Sequence, residues 1–62
     1  MDIHVMEIAT ETVIGTWDVH VDVLNYWPRR EEYFDEAWKC AVEDEKARAE
    51  DRAAYTFRFA LR

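Results

Sequence analysis

Serine is absent from this chain, and cysteine, glycine and proline occur once each, as Cys40, Gly15 and Pro28. Each shortage excludes something. Without serine there is no Ser-His-Asp triad. One cysteine rules out an internal disulfide, and Cys40, His4 and His20 together are too few for a closed zinc site. A single glycine leaves no glycine-rich phosphate loop. No apolar run approaches the roughly 20 residues of a membrane span. The start MDIHVMEIATE has no basic segment ahead of an apolar stretch, which argues against a secretory signal. Positive charge is also scarce: 8 Lys and Arg face 14 Asp and Glu, for a net charge of −6. That balance disfavours DNA, RNA and anionic membranes as direct partners, because phosphate binding relies on clustered Lys and Arg. An unpaired thiol without an export signal fits a reducing cytoplasm, which is the expected location.

What the chain has instead is aromatic bulk and acid. At 62 residues it has room for one small domain, and a domain of that size buries only about 60% of its unfolded surface. Three Trp, three Tyr and three Phe compensate, each able to bury about 150–250 Å². Four elements follow from the periodicity. Residues 3–9 read as a short strand with imperfect alternation. Residues 12–24 contain the clearest pattern, with Trp17, Val19, Val21 and Val23 on one side and Asp18, His20 and Asp22 on the other. Gly15 falls before Trp17, at a left-handed position or a bulge. Residues 55–61 alternate cleanly, Tyr55, Phe57, Phe59 and Leu61 against Thr56, Arg58 and Ala60.

Between the strands, Pro28 suits the first turn of a helix, and a helix over residues 28–53 has an apolar sector of Phe34, Ala37, Trp38, Ala41 and Val42. The expectation is an α+β fold of order β-β-α-β. Its small three-stranded antiparallel sheet has the third strand beside the first, and one long acidic helix covers the face of Trp17, Val19, Val21, Phe57 and Phe59. A continuous helix would be about 38 Å long, whereas a seven-residue strand spans about 23 Å. Glu45, Arg48 and Arg52 also take over the angles that Phe34, Trp38 and Ala41 held. The second half therefore overhangs into solvent or breaks near residues 43–45, and no Gly or Asn marks its end.

The residues assign no catalytic group, metal site or cofactor. Cys40 sits among Glu36, Glu43 and Asp44, which disfavour a thiolate, so a structural thiol is expected. The Asp18-His20-Asp22 row reads as the polar face of a strand. Paired carboxylates do acid–base work only in a cleft that shifts their pKa values, and one helix on a small sheet offers none. The acidic helix stands out: residues 31–52 carry nine of the fourteen acids, answered by Lys39, Lys46, Arg48 and Arg52. On an ideal helix Glu32, Glu36, Glu43 and Glu50 share one stripe, edged by Asp35, Lys39 and Lys46. Such a face is either solvated and laced with i,i+4 pairs or a recognition surface for a basic partner. Tyr26 and Trp27 add an aromatic pair of the kind that anchors interfaces. A second surface is the sheet face away from the helix, where Met6, Ile8 and His20 are candidates for self-association.

The aromatic-rich strands TWDVHVDVL and YTFRFALR and the acidic segments EEYFDEAWKC and AVEDEKARAED, in so short a chain, resemble the small inhibitors made by bacteriophages. Those include anti-CRISPR proteins and inhibitors of host RNA polymerase. The resemblance implies a non-catalytic inhibitor in the host cytoplasm, occupying a basic nucleic-acid-binding surface of a larger host protein. The alternative is a homo-oligomeric structural or antitoxin-like regulatory domain that pairs through its open sheet face.

Overall fold

The computed structural model describes residues 1–21 and 29–60. Strand β1, Asp2–Glu7, is followed by β2, Thr12–Asp18, then helix α1, Arg30–Glu43, a 3-10 helix, Ala49–Ala54, and β3, Tyr55–Phe59. The strands form one antiparallel sheet in the order β2-β1-β3. The expected order, with the last strand beside the first, is the one adopted.

The side of the sheet facing α1 follows from the period of two. Ile3 and Val5 alternate along β1 and are fully buried. Their neighbours across the ladder are Trp17 and Gly15 on β2 and Phe59 and Phe57 on β3. Ala37, Trp38 and Ala41 close the core from α1, with Val19 also buried and Val21, Phe34 and Val42 packed against it. Because Ala37 and Ala41 are small, the helix backbone approaches the sheet and its aromatic neighbours splay outward. Phe34 stacks on Phe57 with centroids 5.4 Å apart, and Trp38 meets Tyr55 at 5.1 Å and Phe57 edge-on at 6.2 Å. Tyr33 contacts Phe59 edge-on at 5.8 Å. Ring pairs of this kind add about 0.5–1.5 kcal/mol each beyond the area they bury, which matters in so small a core.

The hairpin is shorter than its sequence pattern suggested. Strand β2 ends at Asp18 and not at residue 24, with the Val19 N–H still donating to the Met1 carbonyl at 2.8 Å. Val19 and Val21 still reach the core from outside the strand, while His20 lies beyond the strand end; residues 22–24 fall outside the described residues. The register slips between Val5 and Met6, so that Val5 faces Gly15 but Met6 faces Val13, leaving Ile14 as the extra residue of a β-bulge. Gly15 thus belongs to a bulge, and no glycine has a positive φ. Its missing side chain makes room for the indole of Trp17: a Cβ there would stand 2.5 Å from Cη2.

The 28–53 helix is two pieces. Arg29 is the N-cap of α1 without a side-chain cap, and Glu31 and Glu32 occupy the first turn, where carboxylates complement the dipole. At the other end Lys46 N–H donates to Ala41 C=O at 2.9 Å and Glu45 N–H to Val42 C=O at 3.0 Å. This is the double closure of a Schellman motif, with its left-handed position at φ 59 filled by Glu45. The apolar sector has ended at Val42, so nothing favours extending the helix over solvent. The chain reverses, and Ala47 packs back on the core. Strand β3 closes at Phe59, and Leu61 lies outside the described residues.

Candidate acidic interface

Three carboxylates predicted to share a stripe do so on α1. Glu32, Glu36 and Glu43 fall within about 40° of one another at 3.6 residues per turn, opposite the Ala37, Trp38 and Ala41 face that meets the sheet. Glu43 is exposed; Glu32 and Glu36 are partly covered. Lys39 lies within the stripe and its Nζ approaches Glu36 Oε1 at 3.6 Å. The pair is exposed, so its attraction is weak and screened. Glu32 is more constrained: its Oε2 is enclosed without a hydrogen-bond partner among the described residues, at a shallow hollow of about 210 Å³ lined by Val21, Glu32, Asp35 and Glu36.

Glu50 does not share that face. The reversal at Glu45 places it in the 3-10 helix, exposed, with Asp51 beside it. Its place in the stripe assumed one continuous helix. Asp35 has a different role from the one expected of a free recognition carboxylate. It accepts a hydrogen bond from the Arg52 guanidinium, and the same guanidinium carbon lies 5.3 Å from the centre of the Phe57 ring. The Asp35–Arg52–Phe57 stack ties the 3-10 helix to α1 and β3. Tyr26 and Trp27, the aromatic anchors read from the sequence, lie outside the described residues.

Just past α1, Asp44 carries a further contact that the sequence pattern did not reveal. Trp17 Nε1 donates to Asp44 Oδ2 at 2.6 Å, joining the edge strand to the helix end. Beyond it, Glu45, Lys46, Arg48 and Asp51 ring an open hollow of about 500 Å³ floored by Val42, Ala47 and Tyr55. Its charges are mixed in sign, so it does not extend the negative face of α1.

On the other side of the sheet, His4 sits between Thr16 and Arg58, with Nδ1 and Thr16 Oγ1 2.6 Å apart. The bulge sets Val13 opposite Met6, and both Val13 and Ile8 are about half exposed, at 49% and 52%. Val13 was not among the sequence candidates; the interrupted alternation around Gly15 was its only sign. His20 is 84% exposed and its Nε2 lies 3.1 Å from Asp18 Oδ2. Asp18 also accepts from the Met1 amino group at 3.0 Å. The amino group, with help from His20, holds the Asp18 carboxyl below its ordinary value. Cys40 moves the other way, raised first by burial and then by Glu43, Asp44 and Glu36. A thiol so placed is a poor nucleophile at neutral pH.

Among the described residues no group of three or more His, Cys, Asp or Glu is placed to hold a metal ion, and no helix is long and apolar enough to cross a membrane. No protein-family model, curated protein or solved structure matches the chain.

Proposed function

We propose that the chain is a non-catalytic binding protein that inhibits a larger nucleic-acid-handling protein by laying α1 across its phosphate-binding surface. The observation that carries this reading is the row of Glu32, Glu36 and Glu43 at helical spacing on α1, with Glu43 exposed, the other two partly covered, and one lysine, Lys39, within it. Carboxylates at helical spacing offer a basic groove a row of acceptors in place of phosphates, and the excess negative charge speeds and orients encounter. Asp35, at the edge of the row, is bound to Arg52, which ties the 3-10 helix to α1. The likeness to phage inhibitors makes a CRISPR effector or a host RNA polymerase the class of target, and a bacterial cytoplasm the place of action.

The test is capture from bacterial lysate at 50 and 500 mM salt (chosen to lie on either side of effective screening, about 10 Å at 0.1 M), followed by competition with nucleic acid for the purified partner. The reading expects one stoichiometric nuclease, polymerase or effector subunit, lost at high salt and lost to a Glu32→Lys, Glu36→Lys, Glu43→Lys variant with unchanged circular dichroism. A partner that binds the triple variant equally well, or binds without displacing nucleic acid, refutes the mechanism.

A further inference from the structure

The two outer strands of the sheet are not equivalent. Strand β2 is interrupted by the bulge at Ile14, carries Gly15 and ends in Asp18, features that blunt an edge against pairing. Strand β3, Tyr-Thr-Phe-Arg-Phe, has no bulge, glycine, proline or acid. The register says which of its backbone groups are open. Ile8 N–H donates to Ala54 C=O at 2.9 Å and Ala60 N–H to Asp2 C=O at 2.8 Å. Antiparallel ladders alternate, so Thr56 and Arg58 exchange bonds with Met6 and His4, and the N–H and C=O groups of Phe57 and Phe59 point away from the sheet. They have no backbone partner among the described residues. The Tyr55 N–H is already satisfied by Arg52 C=O.

We infer that β3 is a self-pairing edge: two copies join antiparallel about Phe57 to make one six-stranded sheet. Two arrangements use the open backbone groups: one about Arg58 pairs Phe57 with Phe59 completely, and one about Phe57 leaves the Phe59 C=O unpaired because the Tyr55 N–H is taken. Centring on Arg58 sets two arginines directly opposite each other, which is unfavourable. Centring on Phe57 pairs Phe57 with its equivalent, Tyr55 with Phe59 and Thr56 with Arg58, with no like charges opposed. Charge also selects a second copy over other places of contact. With a net charge of −6 per chain, two copies repel unless they meet where acid is absent, and β3 is such a place. Its only charged side chain is Arg58, and the nearby Asp35 is already bound to Arg52. The half-buried rings of Phe57, Phe59 and Phe34 line the helix side of the seam and close against their equivalents. Both α1 helices then lie on one face of the joined sheet, their acidic sides outward. This inference does not rest on the proposed inhibitor function.

Salt separates the two ideas. Pairing of like-charged copies tightens as salt rises, whereas capture of a basic partner weakens. The experiment is sedimentation equilibrium from about 10 to 500 µM in 50 and 500 mM salt, with amide exchange of Phe57 and Phe59 read by NMR. The expected result is a weak dimer, stronger at high salt, with both amides protected in proportion to dimer. Thr56→Glu, placed opposite the second copy's Arg58, should tighten it about fivefold and Thr56→Lys should weaken it by a similar factor. A monomer throughout overturns the inference. So does a dimer that ignores both Thr56 substitutions but dissociates on Met6→Lys, which would put the contact on the open face. Protection of the two amides only on adding a captured partner would assign the edge to that partner and overturn self-pairing as well.

Discussion

Replacing Gly15 with alanine isolates one physical effect. The backbone itself would accept the change, since Gly15 lies in a strand and has no positive φ. On backbone entropy alone alanine should stabilise by about 0.4–1 kcal/mol. The side chain has no space. Its Cβ would lie 2.5 Å from Trp17 Cη2, 2.8 Å from Cζ3 and 3.0 Å from Cζ2, against an optimum of about 3.5–4.0 Å between carbons. The indole must move by about 1 Å, and it is held at its far side by the 2.6 Å bond from Nε1 to Asp44 Oδ2. Overpacking of this kind costs about 1–3 kcal/mol, and losing the hydrogen bond adds about 0.5–1.5 kcal/mol. The net expectation is a loss of about 1–3 kcal/mol. For a domain of this size that lowers Tm by about 5–20 °C.

Urea unfolding followed by far-ultraviolet circular dichroism measures the loss, and a double-mutant cycle assigns it. In a Trp17→Leu background the clash is gone, so Gly15→Ala should become neutral or slightly stabilising. The coupling energy between the two sites should then be about 1–3 kcal/mol. If Gly15→Ala stabilises the otherwise unchanged chain, or costs the same with and without Trp17, the indole is not what requires glycine there, and the reasoning fails.

Three further outcomes follow from the same contacts. Glu45→Gly relieves a left-handed residue at the Schellman position and should raise stability by about 0.5–1 kcal/mol in urea titration; a loss would mean that the Glu45 side chain has a role of its own. Arg52→Ala removes both the Asp35 bond and the cation over Phe57, and should cost about 1 kcal/mol, less at high salt, with faster amide exchange confined to the 3-10 helix and β3. Cys40, raised by burial and by its acidic neighbours from an ordinary 9.0, should react with iodoacetamide at pH 8 more slowly than the unfolded chain. Its thiolate forms more readily once unfolded, so this contribution is intact below about pH 9 and lost as pH rises through the folded value; Cys40→Ala should flatten the alkaline decline in stability.

The sequence was most legible where one side-chain period governed a whole element. Tyr55, Phe57 and Phe59, and Ala37, Trp38 and Ala41, each repeat at the spacing of a strand or a helix, and each set meets the core as its spacing requires. Ending an element depends on its neighbours, which periodicity does not contain. Val21 continues the alternation of β2, yet the strand ends at Asp18 and Val21 packs on the core from outside it. The helix end was visible only as a fading apolar sector, since a glutamate occupies the position where glycine usually announces a Schellman turn.

The same distinction governs the acidic surface. Composition shows an excess of carboxylates but not which are free. Asp44 bonds Trp17, Asp35 bonds Arg52, and the turn at Glu45 carries Glu50 off the stripe. Two of the acids thus hold the domain together. The carboxylate stripe on α1 is narrower than the sequence implied and begins in the first turn of the helix. Charge reversal at Asp35 or Asp44 would therefore report on folding, whereas reversal at Glu36 and Glu43 is the test of the proposed recognition face.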